Sequence, residues 1–217
     1  GSAVASIFTG IIYSLILKLP DSFITKSAVP RLLQTGIVIL GFSISLTKAF
    51  SVTSSYLPSI SLLVIATFFL GIYIGKLIGL DKKLTLLIAS GAAICGGTAM
   101  VAIAPIIKAR PKDLLTAITL IFLLNALAIV IFPIIGLYLG ISQDQFGAWA
   151  AMAIHDTSSV IGAAMVYGEE AVETAATLKL GRTLWLIPLI LLLSYRYQDK
   201  SSTNFQLPFF VLFFIIA

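Results

Sequence analysis

Long apolar runs separated by short polar gaps dominate the chain. In order they are Ala3–Leu17, Leu32–Leu46, Leu57–Ile78, Leu84–Ile107, Leu114–Leu139, Phe146–Tyr167, Ala171–Tyr195 and Leu207–Ala217. The gaps fall at Pro20-Asp21, Lys48, Asp81-Lys82-Lys83, Arg110-Pro111-Lys112-Asp113, Gln143-Asp144, Glu169-Glu170 and Arg196–Asn204. Thr53 to Pro58 and Ser201 to Pro208 read as polar entries to helices. The runs are apolar on all sides and do not alternate every second residue, so they predict helices rather than the strands of a membrane barrel. A helix needs about 20 mainly apolar residues to cross a hydrocarbon core of roughly 30 Å. The pattern therefore predicts an all-α, polytopic transmembrane helix bundle, with about eight helices in one domain over residues 1–217. The last run is still apolar at Ala217, so the chain reads as a fragment of something longer. Gly1-Ser2 reads as a cloning scar, and no cleavable leader is expected.

Composition narrows the class. The chain is 59% hydrophobic and 11% charged, and its mean hydropathy is +1.08. A soluble domain carries about 25% charged residues, so a soluble enzyme and a disordered chain are excluded. One cysteine, Cys95, excludes a disulfide-stapled secreted domain. The net charge of +5 would suggest nucleic acid in a soluble protein. Here the cations sit mostly in the short gaps, where lipid headgroups are the natural partner and no nucleic acid is expected. If every run crosses the membrane, Lys18, Lys26, Arg31, Lys76, Lys82, Lys83, Arg196 and Lys200 face Lys48, Lys108, Arg110, Lys112, Lys179 and Arg182. That near-even split sets no orientation.

Two segments depart from an ordinary span. Ala89 to Ala99 puts three glycines and two hydroxyls, among them Ser90, Gly91, Cys95, Gly96, Gly97 and Thr98, at the middle of Leu84–Ile107. Glycine permits an unwound turn, which membranes tolerate only where it is buried or lines a cavity. A half-helix N-terminus exposed there suits an anion. Close helix packing through small residues explains the same composition equally well. Ala153 to Gly162 carries the chain's single histidine, in the run His155-Asp156-Thr157-Ser158-Ser159. Five polar residues at the centre of a span need partners or water, and ionisable ones are functional candidates. His155 could couple protonation to transport. The competing reading makes Phe146–Tyr167 an interfacial or re-entrant piece.

Length arithmetic adds a third feature. Thr183–Tyr195 would span only about 20 Å. The helix must reach back to Thr174–Ala176, which puts Lys179 and Arg182 within the membrane boundary on one helix face. They would attract an anion, pair with Asp156, or snorkel to the interface. Glu169, Glu170 and Glu173 read as helix-start acids, and Asn125 as interhelical glue. Laid over each other, Ile94 to Ala99 and Ile154 to Ser159 hint at two broken helices meeting at the midplane, as in many secondary transporters.

The run GLDKKLTLLIASGAAICGGTAMVAIAPIIKA (Gly79 to Ala109) resembles the signature of the bacterial membrane proteins named as YeiH-type sulfate exporters. RLLQTGIVILGFSISL (Arg31 to Leu46), AIHDTSSVIGAAMVYG (Ala153 to Gly168) and LKLGRTLWLIPLILLLS (Leu178 to Ser194) resemble further helices of that family, in order. The resemblance implies a multi-pass protein of the bacterial cytoplasmic membrane with roughly ten helices, similar in kind to sodium–proton antiporters and bile-acid symporters. It implies Cys95, Gly96, His155, Asp156, Lys179 and Arg182 as site candidates. Gln34 and Ser43 stand where the family often carries arginine.

These readings converge on a secondary transporter of a small anion coupled to protons, exporting or exchanging it. Ser90, Gly91, Cys95, Gly96, Gly97, Thr98, Ser158, Lys179 and Arg182 would bind substrate, and His155 and Asp156 would carry the proton. A proton- or sodium-coupled cation exchanger using Asp156 is the alternative. An intramembrane enzyme is disfavoured, because Ser158 and His155 on one helix seldom point at each other as nucleophile and base. No HExxH or paired-Asp metal signature appears, and no cofactor is expected. A scaffold would leave the polar cluster unexplained. A homo-oligomer stays open.

Overall fold

The computed structural model describes residues 46–197, with side chains from Ser55 onward. The predicted runs Ala3–Leu17 and Leu207–Ala217, and all of Leu32–Leu46 but its last residue, lie outside the described residues. Within them every regular element is a helix: α1 Leu46–Leu77, α2 Lys82–Ala93, α3 Gly97–Ile103, α4 Pro111–Leu139, α5 Gln143–Ala153, α6 Thr157–Tyr167, α7 Glu169–Thr183 and α8 Leu186–Tyr197. The all-α membrane architecture expected from the apolar runs is what forms. Helix α1 begins earlier than the apolar run and carries Pro58 inside it, so Thr53–Pro58 is helix and not an entry loop.

Three stretches are long and apolar enough to cross a membrane: Ser55–Leu77, Pro111–Leu139 and Glu169–Tyr197. Twenty-nine residues of α4 are roughly 43 Å of helix, more than a bilayer core needs. The other two apolar runs do not cross. Leu84–Ile107 and Phe146–Tyr167 were expected as spans with a discontinuity, and each is discontinuous, but each also reverses. Run straight through, Lys83 and Lys108 would lie roughly 37 Å apart. Instead the Lys83 ammonium donates to the Lys108 carbonyl at 2.6 Å. Nearer the turn, a side-chain carbon at Gly91 would meet Met100 at 3.0 Å. Helices α2 and α3 thus form a re-entrant hairpin whose tip is Cys95-Gly96. In the second hairpin, α5 and α6, the Phe146 and Tyr167 rings stack with centroids 4.0 Å apart. The Tyr167 hydroxyl donates to the Ile141 carbonyl at 2.5 Å. Its tip is Ile154–Asp156. Hydropathy alone favours a straight run in both cases; the turn geometry at the tips and the contacts between paired arms decide otherwise.

The described chain separates into two compact units, one holding residues 57–125 with 180–197 and one holding 46–56 with 126–179. The first contains the α2–α3 hairpin and the second the α5–α6 hairpin. In the first, Ala93, Ala99, Met100 and Ile103 are buried around the hairpin, with Ile190 of α8. In the second, Phe146, Ala150, Ala163 and Ala171 form the core. Many Leu, Ile and Phe side chains of α1 and α4 are exposed.

Candidate functional site

The first tip is built from a helix that stops, a glycine and a helix that starts. Helix α2 begins with Asp81, whose carboxylate accepts the Lys83 N–H at 2.9 Å, a standard N-cap. It ends at Ile94, and the Gly96 N–H returns to the Gly91 carbonyl at 2.8 Å. Gly96 holds φ 62° and ψ −122°, a conformation open to glycine and strained for any other residue. Gly97 packs against Phe122 of α4.

A helix end leaves carbonyls without partners, and in hydrocarbon no water supplies them. Arg182 supplies them at the first tip. Its Nε donates to the Ala93 carbonyl at 2.9 Å and its Nη2 to the Ala92 carbonyl at 2.5 Å. The side chain is 2% exposed. A cation at the negative end of the α2 dipole is the favourable pairing.

The second tip repeats the device within its own unit. Ser142 and Gln145 form a capping box that starts α5. Helix α5 ends at Ile154, whose carbonyl accepts a 2.8 Å bond from the ammonium of Lys179, itself fully buried. Asp156 then caps α6: one carboxylate oxygen accepts from the Ser159 N–H at 3.0 Å, the Ser159 hydroxyl at 3.1 Å, and the Ser158 hydroxyl. His155 is half-buried between the two half-helices. Thr174 of α7 donates to Asp144 at 2.7 Å, and the helices approach closely at Gly147, where a Cβ would lie 2.5 Å from the Ala171 carbonyl.

The sequence candidates therefore divide into two sets, each local to one unit. Cys95, Gly96 and Arg182 meet at the first tip, and His155, Asp156, Ser158 and Lys179 at the second. Lys179 and Arg182 are both buried within the protein, each donating to backbone carbonyls. The Ser90 hydroxyl is spent on its own helix, donating to the Leu86 carbonyl at 2.6 Å. Thr98 points outward and is exposed. Asn125 is buried on α4. Sequence reasoning missed the backbone carbonyls of Ala92, Ala93 and Ile154, which carry no side-chain signal, and Ser159, which shares the Asp156 cap. An apolar cavity of about 180 Å³ beside the first tip, lined by Phe68, Ile94, Trp185 and Leu189 among others, offers no ligand for a charged solute. Among the described residues no cluster of His, Cys, Asp or Glu could hold a metal ion.

The chain is 42% identical over 213 residues to a UPF0324 membrane protein of Porphyromonas gingivalis, covering 98% of this chain and 64% of that protein. It is 43% identical over 213 residues to a counterpart in Vibrio vulnificus, covering 96% and 66%. A Streptococcus pneumoniae counterpart is 37% identical over 231 residues, covering the whole chain and 68% of that protein. The chain thus spans about two thirds of the length of these curated relatives. No solved structure matches. The family model described as Conserved hypothetical protein 698 matches residues 1–217. That is the family marked by the YeiH-type signature, and this membrane protein belongs to it.

Proposed function

We propose that the protein is a secondary transporter of the bacterial cytoplasmic membrane that moves a small anion coupled to protons. The observation that carries the reading is the pair of re-entrant hairpins, each with a polar tip clamped by a buried cation. The first hairpin leads into the N-terminal end of α4, and the second follows its C-terminal end. Helices interrupted by polar, unwound tips are a recurring binding architecture of secondary transporters.

The charge balance supports an anion. Lys179 and Arg182 bring two positive charges into the membrane interior, and Asp156 brings one negative charge. Both cationic side chains donate to backbone carbonyls at a hairpin tip. Asp156 and His155 suit the proton step. As an ionised N-cap, Asp156 holds the first turn of α6 through Ser158 and Ser159; protonation removes charge from that cap and loosens the tip. Proton uptake and hairpin geometry are then linked at one residue.

The test is flux in proteoliposomes holding the full-length protein. Asp156→Asn and His155→Ala should abolish or flatten the pH dependence of anion uptake. Unchanged flux and pH dependence in both variants would falsify the reading. The alternative, a proton- or sodium-coupled cation exchanger, draws on the oxygen cluster of Asp156, Ser158 and Ser159. Flux that follows replacement of sodium, survives replacement of every anion, and persists in Asp156→Glu would select it.

A further inference from the structure

The reversal at Cys95-Gly96 changes where the charges lie. With a through-running Leu84–Ile107, Lys76, Lys82 and Lys83 fall on one face of the membrane and Lys108, Arg110 and Lys112 on the other. In the hairpin they gather at one mouth. The Lys83 ammonium bonds the Lys108 carbonyl at 2.6 Å. Arg110 reaches Asp81 at 3.5 Å and Asp113 at 2.8 Å. Six cations and two carboxylates, Asp81 and Asp113, thus share the mouth of the first hairpin, a net +4. Lys76, Lys82, Lys108, Arg110 and Lys112 are exposed.

The opposite holds beyond the far end of α4. Residues 140–178 contain no lysine or arginine. The mouth of the second hairpin carries Asp144, Glu169, Glu170 and Glu173. Lysine and arginine in short loops set orientation, because the cytoplasmic leaflet carries anionic lipid. We infer that the basic mouth of the first hairpin contacts the anionic headgroups of the cytoplasmic leaflet. The tip at Cys95 is then approached from the cytoplasm. The inference rests on hairpin topology and charge, and holds whatever the protein transports.

The experiment uses full-length protein in cells, with Cys95→Ala and any other cysteine removed. Single cysteines are placed at exposed mouth positions by Lys82→Cys, Lys108→Cys and Glu169→Cys, in variants that elute as monodisperse protein. A membrane-impermeant maleimide should label Lys82→Cys and Lys108→Cys only after permeabilisation. Labelling of Lys82→Cys and Lys108→Cys from opposite faces overturns the hairpin; labelling of both from outside overturns the orientation. Replacing Lys82, Lys83, Lys108 and Lys112 together by glutamine, read at Glu169→Cys, should yield mixed orientation. An unchanged ratio of labelling before and after permeabilisation overturns the headgroup contact.

Discussion

Arg182→Met tests whether a buried cation holds the first hairpin shut. Methionine keeps much of the side-chain volume but removes both bonds to the Ala92 and Ala93 carbonyls. A hydrogen bond from a charged donor contributes about 1.5–3 kcal/mol. Two bonds from one guanidinium are not independent, so a loss of about 3 kcal/mol is a fair central figure. Each 1.4 kcal/mol is a factor of ten, so the opening equilibrium of the tip should rise by roughly 150-fold. The chain carries its own reporter, since Cys95 is its one cysteine and is 3% exposed at that tip. Where opening and closing outpace the reaction, the rate of thiol labelling follows the open population. The assay is the maleimide labelling rate of Cys95 in detergent-solubilised protein, wild type against Arg182→Met. Arg182→Lys, which keeps the charge and loses the fork, should fall between them. Labelling of Arg182→Met within about threefold of wild type would refute the clamp.

Three further outcomes follow from the same geometry. Lys179→Met removes the bond to the Ile154 carbonyl and should speed amide exchange across Ile154–Ser159 by roughly ten- to a hundredfold, from a loss of about 1.5–3 kcal/mol; unchanged exchange counts against the second clamp. Gly96→Ala forces a side chain into φ 62°, ψ −122° and should cost about 1–3 kcal/mol, read as a lower melting temperature by tryptophan fluorescence. At Asp81 the Lys83 N–H, with Arg110 nearby, holds the carboxyl below its ordinary 3.8. A folded-state value lower than the unfolded one adds stability above the unfolded value, lost as pH falls through the folded one. The melting difference between wild type and Asp81→Asn should therefore be steady from pH 7 to about 5 and shrink as the pH falls through and below the ordinary carboxylate value of 3.8.

Much of the architecture was legible because hydropathy reports environment directly. The length argument that drew Lys179 and Arg182 into the membrane needed only a rise per residue and a bilayer thickness. The polarity of His155 to Ser159 marked the second tip, and the glycines marked the first. The reversal of Leu84–Ile107 was not legible, and for Phe146–Tyr167 it was one of two open readings. A broken helix and a hairpin have the same hydropathy, and the choice is made by Gly96 turning back and by the pairing of Gly91 with Met100 and of Phe146 with Tyr167. The charge count set no orientation for the same reason, since it took every run as a straight crossing. The partners of the two cations were hidden because they are peptide carbonyls, which every residue carries.

Both cations that close the hairpins lie on α7, which follows both hairpins in the chain. During synthesis, residues 82–167 emerge before Lys179 and Arg182 exist. Until then the ends of α2 and α5 carry carbonyls that lipid cannot satisfy, each costing several kcal/mol. Neither hairpin can settle at membrane depth as it leaves the ribosome. Each hairpin waits for α7, and assembly order is written into the position of two side chains.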